Sequence, residues 1–319
     1  MTVLTGRVAV VTGSGTGIGR AIAIALARAG ASVVTNNRAA RGAAGDAEAT
    51  AREIIAAGGQ AVYFYGDISD FDAARGLMQT ALDRFGRLDI LVNNAAGEDV
   101  RRKPWEMSRE EWDSTIHTHL SGAFYCVRHA CGAMKERRWG RIVNTTSRAW
   151  IDTMESANYG AAMGGVVSLT RALAKDLGGY GITCNAYAPA ARTRRTEKAF
   201  ARIKRGFEAG VITRRTFDSY ADRPDPEECT PLVLCLCSEE AAGINGQIFD
   251  IRSGEISILC EPHEDRLIRK GDGPWSSRDL VELVPKVLHG PYRNPAPVGR
   301  GDAGTMNAMS APARVKDTL

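Results

Sequence analysis

The residues Thr12-Gly13-Ser14-Gly15-Thr16-Gly17-Ile18-Gly19 stand between a short apolar run and a segment of helical composition. Glycines in that place let the backbone approach a pyrophosphate closely. The amino end of the following helix then faces the negative charge. Gly13, Ser14, Gly15, Thr16, Gly17, Ile18 and Gly19 would form the cradle, although a plain strand-to-helix turn uses the same residues. A second stretch, 192–223, holds ten basic and four acidic residues. It fits a phosphate- or carboxylate-bearing ligand, or equally a solvated helix face. The seven cysteines include no Cys-x-x-Cys pair, and Cys235 and Cys237 are too close for metal spacing. No metal is expected, and the thiols read as reduced.

These groups need elements to hold them. Strand-like runs lie at 8–12, 32–35, 61–65, 89–93, 141–145, 182–187 and 247–251. Helical composition separates them at 20–29, 43–57, 73–85, 110–137 and 158–177. Strands alternating with helices predict an α/β fold with a Rossmann-type, doubly wound parallel sheet. Its ligand site should lie beyond the carboxyl ends of the strands. Residues 255–319 differ, with seven of the twelve prolines and nine acids balancing nine bases. Only 279–288 looks helical there. The expected organisation is one domain at 1–254 and an extended C-terminal arm at 255–319, packed on the core or on a neighbouring subunit and loose from about residue 300.

Further motifs follow in order. Asp67 ends the third strand and Asn93-Asn94-Ala95-Ala96-Gly97 ends the fourth. Ser147 follows the fifth, and Tyr159 stands 12 residues later. Together these resemble the classical short-chain dehydrogenase/reductase family over about residues 4–254. The wording Asn144-Thr145-Thr146-Ser147 and Ala188-Pro189-Ala190-Ala191-Arg192-Thr193 is most similar to the 3-hydroxyacyl-CoA dehydrogenase branch. The resemblance implies that Gly13, Gly17 and Gly19 hold a nicotinamide cofactor's pyrophosphate. Asp67 and Ile68 would hold the adenine. Asn93, with Ala95 and Gly97, would lie under the cofactor, and Pro189 and Thr193 near the nicotinamide. An NAD site usually has a carboxylate after the second strand. Here Asn37 stands there, followed by Arg38, with Arg41 close behind, which favours NADP(H) over NAD(H).

The same resemblance implies a tyrosine that moves the proton, Tyr159, and a serine that binds the substrate oxygen, Ser147. Thr146 is an alternative for the serine, because the Ser-to-Tyr interval is one residue short. The family's lysine, four residues after the tyrosine, is Met163 here, and its helix asparagine is His119. Positions i and i+4 share a helix face, so Met163 should lie beside Tyr159. A free tyrosine ionises at about pH 10. Work near neutrality calls for a neighbouring cation, which methionine cannot be. Arg148 and a protonated His119 are possible substitutes, and a surface charge and an ordinary helix histidine are the plain alternatives. Three readings follow. The first is an oxidoreductase acting on a carbonyl or secondary alcohol of an apolar or acyl-CoA-like substrate. The others are a repurposed enzyme with a non-redox step, and a nucleotide-binding pseudoenzyme. The intact glycine turn favours the first. Trp105, Trp150, Ile151 and Met154 would line an apolar substrate pocket.

Composition limits the partners. The formal charge is only +4, too even for a nucleic-acid face. No apolar stretch is long enough to cross a membrane, and the N-terminus carries no apolar signal run, so a cytoplasmic protein is expected. A small-molecule substrate is the expected partner. Ala/Gly-rich helices at 110–137 and 158–177 favour a homo-oligomer, a tetramer or a dimer.

Overall fold

A computed structural model describes residues 3–40, 46–97, 100–151, 156–210, 212–252, 254–259, 267–269 and 274–289. Arg41, Met154 and everything from residue 290 onward lie outside that set.

Eight strands form one sheet: β1 (Val8–Val11), β2 (Ser32–Asn37), β3 (Gln60–Tyr65), β4 (Ile90–Asn93), β5 (Gly140–Thr145), β6 (Ile182–Ala190), β7 (Ile248–Arg252) and β8 (Glu255–Ile258). Their order is β3-β2-β1-β4-β5-β6-β7-β8, all parallel except β8. The chain winds outward from β1 in both directions, so the crevice falls between β1 and β4. Side chains alternate across the sheet. Ala9 and Val11 face one apolar layer with Ile22, Leu26 and Val233, while Val8 and Val10 face the other with Leu77, Met78 and Met134.

The helices are α1 (Gly17–Arg28), α2 (Ala47–Ala56), α3 (Phe71–Phe85), α4 (Arg109–Ile116), α5 (Gly122–Glu136), α6 (Ala157–Gly178), α7 (Arg194–Glu208), α8 (Arg214–Ala221), α9 (Thr230–Cys237) and α10 (Ser277–Leu283). Their starts carry local signals. Asp46 caps α2, Asp70 caps α3, and Ser108 with Glu111 makes a capping box on α4. None of the described helices is long and apolar enough to cross a membrane.

Two expectations are corrected. The single helix predicted at 110–137 is α4 and α5 joined by a π-helical turn, His117–Ser121. That turn inserts extra backbone and re-aims His119. The sheet also continues past residue 254. Gly254 has φ +78° and turns the chain, so that Arg252 pairs with Glu255 and β8 runs back along β7. The arm therefore opens with an edge strand rather than an extended segment, because β7 would otherwise leave its backbone groups unpaired.

A buried amide chain ties the crevice to its supports. Asn93 Nδ2 donates to Asn144 Oδ1 at 2.9 Å, Asn144 Nδ2 to Thr170 Oγ1 at 2.9 Å, and Thr170 Oγ1 to the Val166 carbonyl at 2.8 Å. These bonds join β4, β5 and α6 at the end where the site opens. Asn144→Ala removes one bond each from Asn93 and Thr170, which keep their bonds to the Ala123 and Val166 carbonyls, and is expected to cost about 2 kcal/mol in urea unfolding. A loss below about 0.5 kcal/mol would show that water replaces the amide.

Candidate active site

The carboxyl ends of β1, β4 and β5 open into a cleft lined by Thr12, Ile68, Asn93, Ala95, His119 and Thr145. The glycine turn is one wall. Gly13 has φ +64°, where glycine meets no steric penalty, and a Cβ on it would lie 2.7 Å from the Ala95 Cα. A Cβ on Gly15 would lie 2.7 Å from the Asp46 backbone, and one on Gly17 would lie 3.3 Å from the Thr193 methyl group. Thr16 precedes α1 without a side-chain cap bond, and the first turn of α1 has no acidic residue. The positive end of the helix is thus left for an anion. Ile18 packs into the apolar layer, and Gly19 lies tightly under Asn94 and the Gly13 carbonyl.

Ser14 differs from its expected role as a ligand contact. Its hydroxyl is buried, donates to the Val11 carbonyl at 2.8 Å and accepts from the Asn36 amide at 2.9 Å. Its own amide donates to the Asn36 carbonyl. Ser14 therefore fastens the turn to β2 rather than facing the cleft.

Two buried amide oxygens, Asn37 Oδ1 and Asn93 Oδ1, have no hydrogen-bond partner. Asn37 ends β2 and Asn93 ends β4. Buried acceptors without donors are costly. The hydroxyl and amide donors of a nicotinamide dinucleotide laid along this edge fit them, and the glycine turn between them fits its pyrophosphate. Around Asn37, Arg38 is mostly exposed with its Nε 3.9 Å from Asp67 Oδ2. Asp67 Oδ1 accepts from the Ser69 amide and hydroxyl at 3.0 and 2.7 Å. Ile68 is buried against Gly122. Pro189 lies near the end of β6, and Thr193 caps α7.

His119, Tyr159 and Met163 come together beside the cleft. The His119 and Tyr159 rings meet edge-to-face with centroids 5.2 Å apart. The π-helical turn makes this possible, and such turns often mark functional sites. The Gly97 amide donates to His119 Nε2 at 3.3 Å, which leaves the neutral ring's proton on Nδ1. Asn158 Nδ2 donates to Thr115 Oγ1 at 2.9 Å, and Asn158 Oδ1 accepts from the Tyr159 amide at 2.8 Å. The start of α6, and hence Tyr159, is pinned to α4.

Ser147 and Thr146 separate clearly. Thr146 is buried and donates to the Met163 carbonyl at 3.0 Å. Ser147 is partly exposed, and its Oγ accepts only the Ala149 amide at 3.2 Å among the bonds described. Its own proton remains for a ligand oxygen. Met163 is 2% exposed and packs with Ala162, Val166, Leu120, Trp150 and Tyr159. No charge replaces lysine there. Arg148 is not the substitute either, because its Nη1 lies 3.2 Å from Asp250 Oδ2. Trp105 is 81% exposed, so it lines no pocket. Burial pushes the Cys126 thiol up to about 12 and the Cys184 thiol higher still, so neither acts as a nucleophile.

Nothing local in the sequence marks Asn144, Asp250 or Arg223 as site residues. Their roles depend on neighbours far along the chain, and only the parity of β5 could have pointed Asn144 inward.

Comparison with known proteins agrees with this architecture. The short chain dehydrogenase family model matches residues 7–202. A protein named hydroxyacyl-CoA dehydrogenase ChsB1, from Mycobacterium tuberculosis, is 38% identical over 89% of this chain and 89% of its own length. A 3-oxoacyl-[acyl-carrier-protein] reductase of Synechocystis is 37% identical over 80% of this chain and 99% of its own. A crystal structure of a short chain dehydrogenase from Mycobacterium avium superposes with a TM-score of 0.77 at 36% identity, covering 93% of this chain and 99% of that one. The chain belongs to the short-chain dehydrogenase family and is an oxidoreductase of that family.

Met163→Lys would put an ammonium into this apolar cluster, without a prepared carboxylate. It is expected to cost about 2 kcal/mol or more and to lower the melting temperature, with native turnover falling in step. An unchanged melting temperature with faster turnover would mean that the site still accepts the family's lysine.

Proposed function

We propose that this protein is an NADP(H)-dependent reductase of the carbonyl in a 3-oxoacyl thioester, with Tyr159 as proton donor and Ser147 as the hydrogen bond to the substrate oxygen. One observation carries the reading. Tyr159 is held edge-on against His119, which lines the same cleft as Asn93 with its unpartnered oxygen. The names of the relatives support the thioester class.

Bound there, a reduced nicotinamide supplies a hydride to the carbonyl carbon. The C=O π bond breaks toward oxygen, and that oxygen takes the Tyr159 proton. Ser147 Oγ donates to the same oxygen as negative charge builds on it. Asn93 and Asn37 would hold the cofactor, and Arg38 would pair with a 2′-phosphate. In reduction, a phenol gives its proton to a nascent alkoxide, a far stronger base than a phenolate, and no ammonium is required. Oxidation would run the same step backwards, and because reduction consumes a proton, oxidation should gain with rising pH. The basic helices α7 and α8, fastened together by the 4.6 Å Phe207–Phe217 stack, suit the phosphates of a coenzyme A thioester. The half-exposed Phe124 on α5 and Trp112 on α4 support helix pairing between copies in a dimer or tetramer.

The test follows NADPH consumption with acetoacetyl-CoA. Tyr159→Phe is expected to lower kcat by about 10²- to 10⁴-fold with KM little changed. Arg38→Ala should raise KM for NADPH about tenfold or more and leave that for NADH nearly unchanged. Full activity of Tyr159→Phe, or product formed without nicotinamide turnover, would move the assignment to the non-redox reading that Met163 favours.

A further inference from the structure

Positive charge gathers at the carboxyl ends of β5, β6 and β7 in excess of the acids described there. Asp250 is nearly fully buried on β7, and a single oxygen of it takes two guanidinium groups. Arg148 Nη1 lies at 3.2 Å and Arg252 Nε at 2.7 Å from Oδ2. Two cations thus share one carboxylate.

Arg223 adds a third. It follows α8, and the chain around it is fastened to the end of β6. The Arg192 amide donates to the Pro224 carbonyl at 2.7 Å, and Arg192 Nη2 donates to the Arg223 carbonyl at 3.3 Å. The Arg223 guanidinium lies 4.0 Å over the Tyr220 ring. Its Nε is buried with no acceptor, and no described carboxylate pairs with it. Burial holds its pKa below the usual arginine value, Arg252 lowers it further, and the phenols of Tyr220 and Tyr159 raise it. The guanidinium also hydrogen-bonds the Tyr220 hydroxyl. Arg148 follows β5, Arg192 follows β6 and Arg252 ends β7, so this group of cations lies along the carboxyl edge of the sheet. A buried N–H with no acceptor calls for a partner, which a ligand can supply.

We propose that Arg223, backed by Arg252 and Arg148, binds a carboxylate carried on the acyl part of the substrate, a few bonds from the carbonyl that Tyr159 protonates. The planar guanidinium fork matches a carboxylate with two parallel bonds. The phosphates of coenzyme A are the wrong source, because the pantetheine arm keeps them far from the reacting carbon. The inference rests on the reductase reading for its kinetic arm only.

The binding arm needs no turnover. Succinate, inorganic phosphate and acetate are titrated into the full-length wild type, Arg223→Met and Arg223→Lys, with melting temperature as readout and circular dichroism as the check on folding. Succinate is expected to raise the wild-type melting temperature more than phosphate or acetate does, to act partly on Arg223→Lys and not on Arg223→Met. The kinetic arm compares 3-oxoadipyl-CoA with acetoacetyl-CoA under NADPH. Wild type should favour the dicarboxylic thioester about tenfold or more in kcat/KM, and Arg223→Met should lose that preference through KM, with partial recovery in Arg223→Lys. Equal loss for both thioesters, equal stabilisation of all three proteins by succinate, or a stronger effect of phosphate would overturn the proposal. Succinate stabilisation specific to Arg223, with no reduction of either thioester, would uphold the anion site and remove only the reductase reading.

Discussion

The hydroxyl of Thr12 is the junction on which the site depends. It accepts the amides of Asn94 and Ala95 at 2.9 and 3.0 Å, while the Asn94 side chain donates to the carbonyls of Thr12 and Gly13. Thr12 ends the first strand and Asn94 follows the fourth, so these bonds close the seam where the two windings of the sheet diverge. Both loops leave that seam at fixed height. The glycine turn can then press on Ala95, and the Gly97 amide can reach His119. Gly13, Asn93 and His119 belong to three separate elements, yet each takes its position from this one contact region. A parallel sheet makes this economical, because every strand delivers its carboxyl end to the same edge.

The reacting end is built by a different device. An uninterrupted helix from 109 to 136 would turn position 119 by the ordinary 100° per residue. The π-helical turn adds backbone there, and His119 swings onto the Tyr159 ring. On the facing helix, Met163 fills the lysine's position with apolar volume and closes the small cluster of Ala162, Val166 and Leu120. The two replacements are consistent with each other. Imidazole and thioether pack against a neutral phenol at little desolvation cost, whereas an ammonium among those groups would need a counter-charge. The pocket is thus organised around uncharged groups on the α6 side and around guanidinium groups on the β7 side.

Much of the fold was legible in the sequence because its signals are local. β-branched runs of four to six residues mark strands such as β1 and β2, and Ala-rich segments between them mark the helices. The glycine turn was legible for the same reason. The π-helical turn was not, since one extra residue per turn leaves composition unchanged. β8 was hidden because four exposed residues inside a proline-rich stretch carry no core pattern, and only pairing with β7 makes them a strand. Ser147 was the expected serine and Thr146 its alternative. Backbone direction separates them, sending one hydroxyl to the Met163 carbonyl and the other to the solvent side. Ser14 misled because small polar residues in such turns serve the ligand or the turn with the same chemistry.

Charge balance separates the two parts of the site by function. Where a charge serves the fold, it is matched. Asp89 is fully buried, yet it accepts the Val8 amide and both Arg87 nitrogens at 2.7 to 2.8 Å. Arg141 is equally buried and spends its donors on the carbonyls of Ser238 and Gly140 while lying 4.4 Å from the Trp139 ring centroid. Both stand at the amino end of the sheet, away from the cleft. At the carboxyl end Asp250 likewise carries two arginines, and Arg223 Nε and the Asn37 and Asn93 oxygens are among the buried atoms without a partner. Each such group forfeits about 1–3 kcal/mol until water or a bound molecule meets it. Under the proposed function, the two open acceptors would meet a cofactor's donors, and the open guanidinium donor would meet an anionic substrate.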